Sequence, residues 1–190
     1  PHIVIQPNSF VINDKFISNL KNKFKDISVI KSFSGEGIIL SNDNAKGIIL
    51  KGMNKNEKKS IEFLNRNMTS GVVNDLNKNH VFIGTELAYN LNLKKGDNIS
   101  LMSSAFVATP LGSMPKQERF KIAGIFNTGF LEFDQNIVFL EIKDVLSIFD
   151  KEEKDQNLEI YLKDPLEANS LKKKIEKINP NYFIYTWSDL

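Results

Sequence analysis

The sequence of 190 residues contains no cysteine, two histidines and one tryptophan. Without cysteine the chain forms no disulfide and offers no thiolate ligand to a metal. Its histidines, His2 and His80, are far apart in the sequence and cannot by themselves build a typical zinc site. No apolar run reaches the roughly 18 residues that a membrane-spanning helix requires. These absences exclude a disulfide-stabilised scaffold and a cysteine- or histidine-rich metal centre.

Catalytic motifs are missing as well. The chain has no cysteine nucleophile, no histidine beside a serine or aspartate in a known motif, no Walker loop and no glycine-rich dinucleotide loop. The acidic stretch around Glu152 and Glu153 lacks the glycine and the spacing of a calcium loop, so we interpret it as a solvated loop. We therefore expect a protein that is not an enzyme and that binds no metal, nucleotide or covalent cofactor.

The charge distribution argues against nucleic acid as a ligand. Lysine and arginine number 25 against 23 acidic residues, for a net charge of +2. Nucleic-acid binding usually requires a concentrated basic face, whereas the lysine runs at 55–59 and 172–177 are interrupted by other residues. They are typical of solvated helix faces.

The two ends of the sequence suggest a piece of a longer protein. It starts without methionine, directly in an apolar strand at His2–Gln6, and stops at Ser188-Asp-Leu190. We expect both ends to continue in the full-length protein.

Hydrophobic periodicity predicts an alternation of strands and short helices. Asn13 and Asp14 form a plausible N-cap pair for the first helix, and Thr85 is placed to cap another. Residues 34–37 are predicted to form a turn, and residues 68–79 a polar connection. The order of elements favours an α+β or mixed α/β fold with βαβ pieces. The predicted strands are 2–6, 27–34, 37–40, 47–53, 80–83, 98–102, 120–126, 136–141, 158–162 and 182–187, and the predicted helices are 14–24, 58–67, 86–91, 145–149 and 166–178.

One segment fits neither a core nor a simple connection. Residues 103–119 lie between two good strands, a loop of about 15 residues where a few are usual. The segment carries several apolar side chains and two prolines, Pro110 and Pro115, which restrict the backbone and oppose a helix. Gly112 allows the chain to reverse direction. Two interpretations remain open: a stiff, projecting arm that binds a partner, or a loop folded back over the sheet.

Its motif resembles a known family. Thr109-Pro-Leu-Gly-Ser-Met-Pro115 is followed by Gln117 and the strand Phe120-Lys-Ile-Ala-Gly-Ile-Phe126, in the order that is typical of LolC/LolE permeases. The stretch Gly129-Phe-Leu-Glu-Phe-Asp134 is similar to the G-x-x-E-[YF]-D turn of the same family. The opening Pro1–Gln6 is similar to the segment that follows the first transmembrane helix of those proteins.

The resemblance implies a function. LolC/LolE proteins are permease subunits of an ATP-driven exporter that extracts lipoproteins from the inner membrane of Gram-negative bacteria. Their periplasmic domain has the MacB-like α+β fold, with one subdomain built from both chain ends and a smaller, mostly β subdomain inserted between them. From the order of elements we expect residues 1–79 and 136–190 to form the first subdomain and residues 80–135 the second.

The implied partners are a LolA-type soluble carrier, a LolD-like ATPase subunit, a second LolC/LolE-type permease and the lipoprotein itself. In LolC-type subunits a proline-flanked hook enters the carrier, and a polar pad holds the rim of the carrier. In this sequence the hook corresponds to residues 104–115. The resemblance assigns the hook contacts to Phe106, Val107, Thr109, Pro110, Leu111, Gly112, Met114 and Pro115, and the pad contacts to Gln117 and Arg119.

The sequence departs from the LolC pattern at one position. That pattern places a basic residue directly after the glutamine, whereas here Glu118 stands between Gln117 and Arg119. The sequence does not distinguish a LolC-like, a LolE-like or a merged single-permease role. The alternative class is a MacB- or FtsX-type domain that couples an ATPase to a different periplasmic partner. Those relatives share the architecture but lack the arm.

Overall fold

The computed structural model describes residues 1–8, 11–41, 44–55, 57–110 and 112–189. Among them, no helix combines the length and the apolar character needed to cross a bilayer. The helices are α1 (Asp14–Lys23), α2 (Lys58–Asn67), α3 (Thr85–Asn90), α4 (Leu131–Asn136), α5 (Ile142–Ile148) and α6 (Ala168–Ile178). The strands are β1 (Ile3–Gln6), β2 (Ile27–Ser32), β3 (Ser34–Ser41), β4 (Asn44–Met53), β5 (Met68–Ser70), β6 (His80–Gly84), β7 (Asn98–Thr109), β8 (Gly112–Phe126), β9 (Ile137–Glu141), β10 (Asn157–Leu162) and β11 (Phe183–Thr186).

The chain folds into two compact units. One comprises Pro1–Ser32 and Glu152–Leu190, and the other, Phe33–Lys151, is inserted between those two segments. The order of elements in the sequence predicts an inserted unit at residues 80–135, which is much shorter than the unit observed. The reason is long-range pairing: β3 and β4 join the inserted sheet by pairing with β7 and β9, and β9 lies beyond the expected boundary.

The unit built from both chain ends is a four-stranded antiparallel sheet in the order β11-β1-β10-β2. Alternate residues of β1, Ile3 and Ile5, are buried against α1 and α6, as the period of two in a strand requires. Asn13 caps α1, since its side chain accepts a hydrogen bond of 2.8 Å from the backbone N–H of Phe16.

The C-terminal strand of this unit is held by a carboxylate. Asp189 accepts hydrogen bonds from the backbone N–H of Thr186 (2.7 Å), the Thr186 hydroxyl (2.9 Å) and the Lys172 ammonium (3.0 Å). The backbone hydrogen bond from Thr186, followed by those from Lys172 and the Thr186 hydroxyl, lowers the pKa of Asp189 to about 2. The charged form of this side chain therefore stabilises the folded chain.

We expect Asp189→Asn to lower the melting temperature at neutral pH and to matter less in acid. Because the folded-state pKa of Asp189 lies below the usual 3.8, the stabilisation is present above about pH 4 and is lost as the pH falls towards 2. The measurement is the melting temperature of both proteins from pH 7 to 2.5. A difference that stays constant across that range would contradict this assignment.

The inserted unit is a closed ring of six strands. Its order is β8-β6-β9-β4-β3-β7, and β7 pairs again with β8, while β5 adds to β8 outside the ring. The β6–β8 and β4–β9 pairs are parallel, and the others are antiparallel. The core inside the ring is formed by buried aliphatic and aromatic side chains, among them Ile39, Leu50, Ile83, Leu101, Phe120, Ile122 and Leu140.

Several local predictions differ from the structure because of tertiary packing. The predicted turn at 34–37 is continuous strand. Gly35 and Gly37 provide close approach there, since a Cβ on Gly35 would lie 2.6 Å from the ring of Phe149. Thr85 does not cap α3; the cap residue is Gly84, and the Thr85 hydroxyl donates to the carbonyl of Phe126. The predicted polar connection at 68–79 contains β5 and the buried Leu76.

Candidate functional site

The segment singled out in the sequence is a projecting two-stranded ribbon. Strand β7 pairs with β3 only as far as the Gly37–Ser103 position. Beyond that point the described part of the segment pairs only within itself, from Phe106 opposite Pro115 to Thr109 opposite Gly112. We call residues 104–115 the docking ribbon. They are the residues that the resemblance assigns to the hook, and they form paired strands where the sequence predicts a loop.

The reversal at the tip of the docking ribbon uses the residues that the sequence indicated. Gly112 has a φ of 114°, a conformation that glycine adopts without strain. The Thr109 hydroxyl donates a hydrogen bond of 2.7 Å to the carbonyl of Gly112 and closes the turn. Pro115 lies in an outer strand, where a missing N–H is tolerated. Leu111, the central residue of the predicted hook, lies outside the described residues.

The apolar side chains of the docking ribbon face solvent. Phe106 is 63% exposed, Met114 51% and Val107 41%. Since directly opposed residues point to the same face, Val107 and Met114 share one face, and Phe106 and Pro115 share the other. Both faces are therefore apolar. This arrangement agrees with a projecting arm and disagrees with a loop folded back over the sheet.

The predicted pad residues lie together at the base of the docking ribbon. Gln117 and Arg119 are both exposed, and because they are two residues apart on β8 their side chains point to the same face. In the neighbouring strand β7 they lie opposite Met102 and Ser100, respectively. Together with residues of β3 and β4 such as Leu40 they line an open groove of about 720 Å³. The arrangement offers one cation and several uncharged polar groups beside an apolar arm.

Glu118 does not join this face. Because side chains alternate along a strand, Glu118 points to the opposite face of β8 from Gln117 and Arg119. It is half-buried, and its carboxylate lies 3.6 Å from the ammonium group of Lys116. The intervening acid therefore leaves Gln117 and Arg119 on a common surface. The departure from the LolC pattern changes the sequence spacing of the pad but does not place an acid next to Arg119 on that face.

The stretch Gly129–Asp134 contains a loop organised by one buried carboxylate. Asp134 is 2% exposed and accepts hydrogen bonds from the backbone N–H groups of Thr128 (3.0 Å) and Gly129 (3.1 Å) and from the Thr128 hydroxyl (2.7 Å). The loop holds Phe130 and Leu131 outward, and both are exposed. Neither side chain is predicted as a contact from the sequence, and only their position inside the Gly129–Asp134 motif indicates them.

The other candidate residues are not assembled into a site. The N–H of Glu152 donates to Asp155, and the Glu152 carboxylate pairs with Lys154 at 2.9 Å, as in a solvated loop. The ring Nδ1 of His80 lies 2.8 Å from the backbone carbonyl of Asp75. Over the part of the chain that the structure describes, no three histidine or carboxylate side chains cluster as metal ligands would.

No protein-family model matches the chain. It is 25% identical over 112 residues to the "Lipoprotein-releasing system transmembrane protein LolC" of Xylella fastidiosa, covering 58% of this chain and 27% of that protein. It is 22% identical over 140 residues to the protein of the same name from Neisseria meningitidis, covering 73% of this chain and 34% of that protein.

The chain is LolC/LolE-like in sequence. It spans 27% to 34% of the length of the curated LolC relatives it matches. Whatever else those proteins contain lies outside the residues described here.

Two solved structures show that this LolC/LolE-like domain has the MacB-like α+β fold, which confirms the predicted fold class. The periplasmic region of MacB from Actinobacillus actinomycetemcomitans superimposes with a TM-score of 0.53 at 12% identity, covering 97% of this chain and 87% of that chain. The extracellular domain of the ABC-type transporter YknZ from Gram-positive bacteria gives a TM-score of 0.56 at 12% identity, covering 97% and 98%. At this identity the likeness concerns the fold alone.

Proposed function

We propose that this LolC/LolE-like domain docks a LolA-type periplasmic carrier through the docking ribbon and thereby hands lipoproteins from the inner membrane to that carrier. The observation that carries the proposal is the ribbon itself: a paired arm whose two faces both expose apolar side chains. A flat partner surface would cover one face only. A cavity that encloses the ribbon buries both.

The physical requirements for insertion are met by the described residues. A two-stranded ribbon closed by the Thr109–Gly112 hydrogen bond is already ordered, so that less conformational entropy is lost on binding. Its apolar side chains favour transfer into an apolar cavity by about 1.5 to 3 kcal/mol for each fully buried one. The polar groups at its base, on Gln117 and Arg119, remain suited to a wet rim.

The remaining machinery belongs to other parts of the transporter in this proposal. ATP hydrolysis takes place in a LolD-like subunit, and a second LolC/LolE-type permease completes the pair. The domain itself binds carrier and carries out no chemistry. The closing of the ATPase would be transmitted to it through membrane segments outside the residues described here.

A direct binding measurement tests the proposal. The purified domain is titrated with the apo LolA-type carrier of the same organism, by calorimetry or biolayer interferometry, and with a periplasmic adaptor of the MacB type from that organism. Saturable one-to-one binding of the carrier supports the proposal. Binding of the adaptor with no binding of the carrier would favour the MacB/FtsX-type coupling role instead.

Charge reversal at the pad is expected to act weakly. For Arg119→Glu we expect carrier affinity to fall by no more than about fivefold at physiological salt, because an exposed rim charge contributes little. The loss should shrink in high salt, where the Debye length is short. The measurement is the dissociation constant at two salt concentrations, with Lys94→Glu, an exposed lysine between α3 and β7, as the matched control. A loss that is the same at both salt concentrations would contradict a rim contact.

A further inference from the structure

The base of the docking ribbon contains an irregularity in strand pairing. Met102 pairs with Gln117, and the next regular pair is Phe106 with Pro115. Between these pairs β7 advances by four residues while β8 advances by two, which leaves two additional residues on β7. Such bulges bend a ribbon and increase its twist. The direction in which the docking ribbon leaves the ring is therefore determined at residues 103–105.

Both strands of the base are tied to the C-terminal end of α5. On β7, the buried Ser103 hydroxyl donates to the carbonyl of Ile148 and accepts a hydrogen bond of 3.1 Å from the N–H of Ala105 inside the bulge. On β8, the Lys116 ammonium donates a hydrogen bond of 2.6 Å to the carbonyl of Ser147. A cation is favoured at this end of a helix, where the carbonyl groups point.

Helix α5, to which both strands are attached, is itself packed tightly against the core of the ring. Val145 and Ile148 are fully buried in the core inside the ring, and a Cβ on Gly52 of β4 would lie 2.4 Å from Val145. Glu118, 3.6 Å from Lys116, keeps the ammonium group on this side of the strand. Two hydrogen bonds, one from each strand, thus connect a bent ribbon to a tightly packed helix.

We infer that Ser103 and Lys116 are positioning residues that fix the direction of the docking ribbon relative to the ring. Their importance for carrier binding rests on the proposed function, because a ribbon held in one direction meets its cavity without a further entropic loss. The positioning itself is a property of the free chain and can be measured without the carrier.

The absence of cysteine allows the direction to be measured by spin labelling. Cysteines are introduced at Ser113, near the tip, and at the exposed Asn90, at the end of α3 in the same unit, and the interspin distance is obtained by pulsed electron resonance. From base to tip the ribbon is about 20 Å long, so a tilt of about 15° moves the tip by roughly 5 Å. Pulsed electron resonance resolves a distance change of this size.

The expected results differ between variants. The otherwise unchanged labelled chain should give one narrow distance distribution, and Lys116→Met, alone or with Ser103→Ala, should broaden it or shift it by several ångströms. Lys116→Arg keeps a cationic donor and should restore the narrow distribution. Lys121→Met, an exposed lysine on the same strand, is the matched control and should change nothing. Melting temperatures show whether each variant is folded. If the double variant is unfolded, the distance distribution of Lys116→Met alone tests the inference.

An unchanged distribution in folded Lys116→Met would overturn the inference, whether or not the carrier binds. A broadened distribution supports it even if the parent chain fails to bind carrier, a result that would count against the docking function alone. Where the parent chain does bind, Lys116→Met should weaken binding mainly by slowing association, and Lys116→Arg should recover it.

Discussion

Replacing Phe106 and Met114 together by aspartate is expected to weaken binding of the LolA-type carrier by at least tenfold while leaving the melting temperature nearly unchanged. The two side chains lie on opposite faces of the docking ribbon, so the double variant tests enclosure of both faces. Burying a carboxylate in an apolar cavity requires its desolvation or protonation. Together with the lost apolar contacts, about 1.5 to 3 kcal/mol for each fully buried side chain, this exceeds the roughly 1.4 kcal/mol that corresponds to a factor of ten.

The melting temperature should change little in the double variant, because the side chains of Phe106 and Met114 are already exposed in the free chain. Leu166→Asp is the matched control, since Leu166 is an equally apolar, strongly exposed residue in the other unit. The dissociation constant and the melting temperature are measured on the same preparations. Retained binding together with a large fall in melting temperature would mean that the ribbon serves the core of the domain and not a partner.

Asp134→Ala is expected to cause the largest loss of stability among the substitutions outside the apolar core that the structure suggests. The variant removes the buried carboxylate that accepts hydrogen bonds from the backbone N–H groups of Thr128 and Gly129 and from the Thr128 hydroxyl, all of them part-buried. Hydrogen bonds to charged groups contribute about 1.5 to 3 kcal/mol, and unsatisfied buried groups cost a similar amount. We expect the free energy of unfolding to fall by about 2 to 4 kcal/mol.

The measurement is urea unfolding followed by circular dichroism. Glu132→Ala is the matched control, because Glu132 lies on the same helix and is exposed. Its effect should stay within about 0.5 kcal/mol, as is usual for surface positions. A loss of unfolding free energy for Asp134→Ala no larger than that of the control would show that the Asp134 carboxylate does not stabilise this loop.

Local signals in the sequence were sufficient where an element depends mainly on its own residues. The periodicity of residues 58–67 predicted α2 with the bounds observed, and Asn13 was identified as a cap from its position before an apolar helix face. The alternation of strands and helices predicted the α+β fold class. These features are set by contacts within a few residues, which a single sequence displays directly.

Elements that depend on distant partners were predicted less well. Gly35 was interpreted as a turn residue because nothing near it in the sequence shows that the ring of Phe149 occupies the space of its side chain. The unit boundaries were misplaced because the pairings of β3 with β7 and of β4 with β9 join residues far apart in the chain. Strand pairing of this kind has no local signature beyond alternation.

The docking ribbon combines both situations. The unusual length and apolar content of residues 103–119 indicated the segment, and the resemblance gave its extent, residues 104–115. Its strands were not predicted because Pro115 and the bulge after Met102 interrupt the alternation by which a hairpin is identified. The hydrogen bonds from Ser103 and Lys116 to α5 are likewise visible only in three dimensions.

The most direct test of the docking function is site-specific photocrosslinking with purified components. The photoreactive amino acid p-benzoylphenylalanine replaces Phe106 in one version of the domain and Leu166 in another, and each is irradiated with the LolA-type carrier. Crosslinked peptides are then identified by mass spectrometry. We predict strong crosslinks from position 106 to residues that line the apolar cavity of the carrier, and none above background from position 166. Equal crosslinking from both positions, or crosslinks from position 106 only to the outer surface of the carrier, would contradict docking through the ribbon.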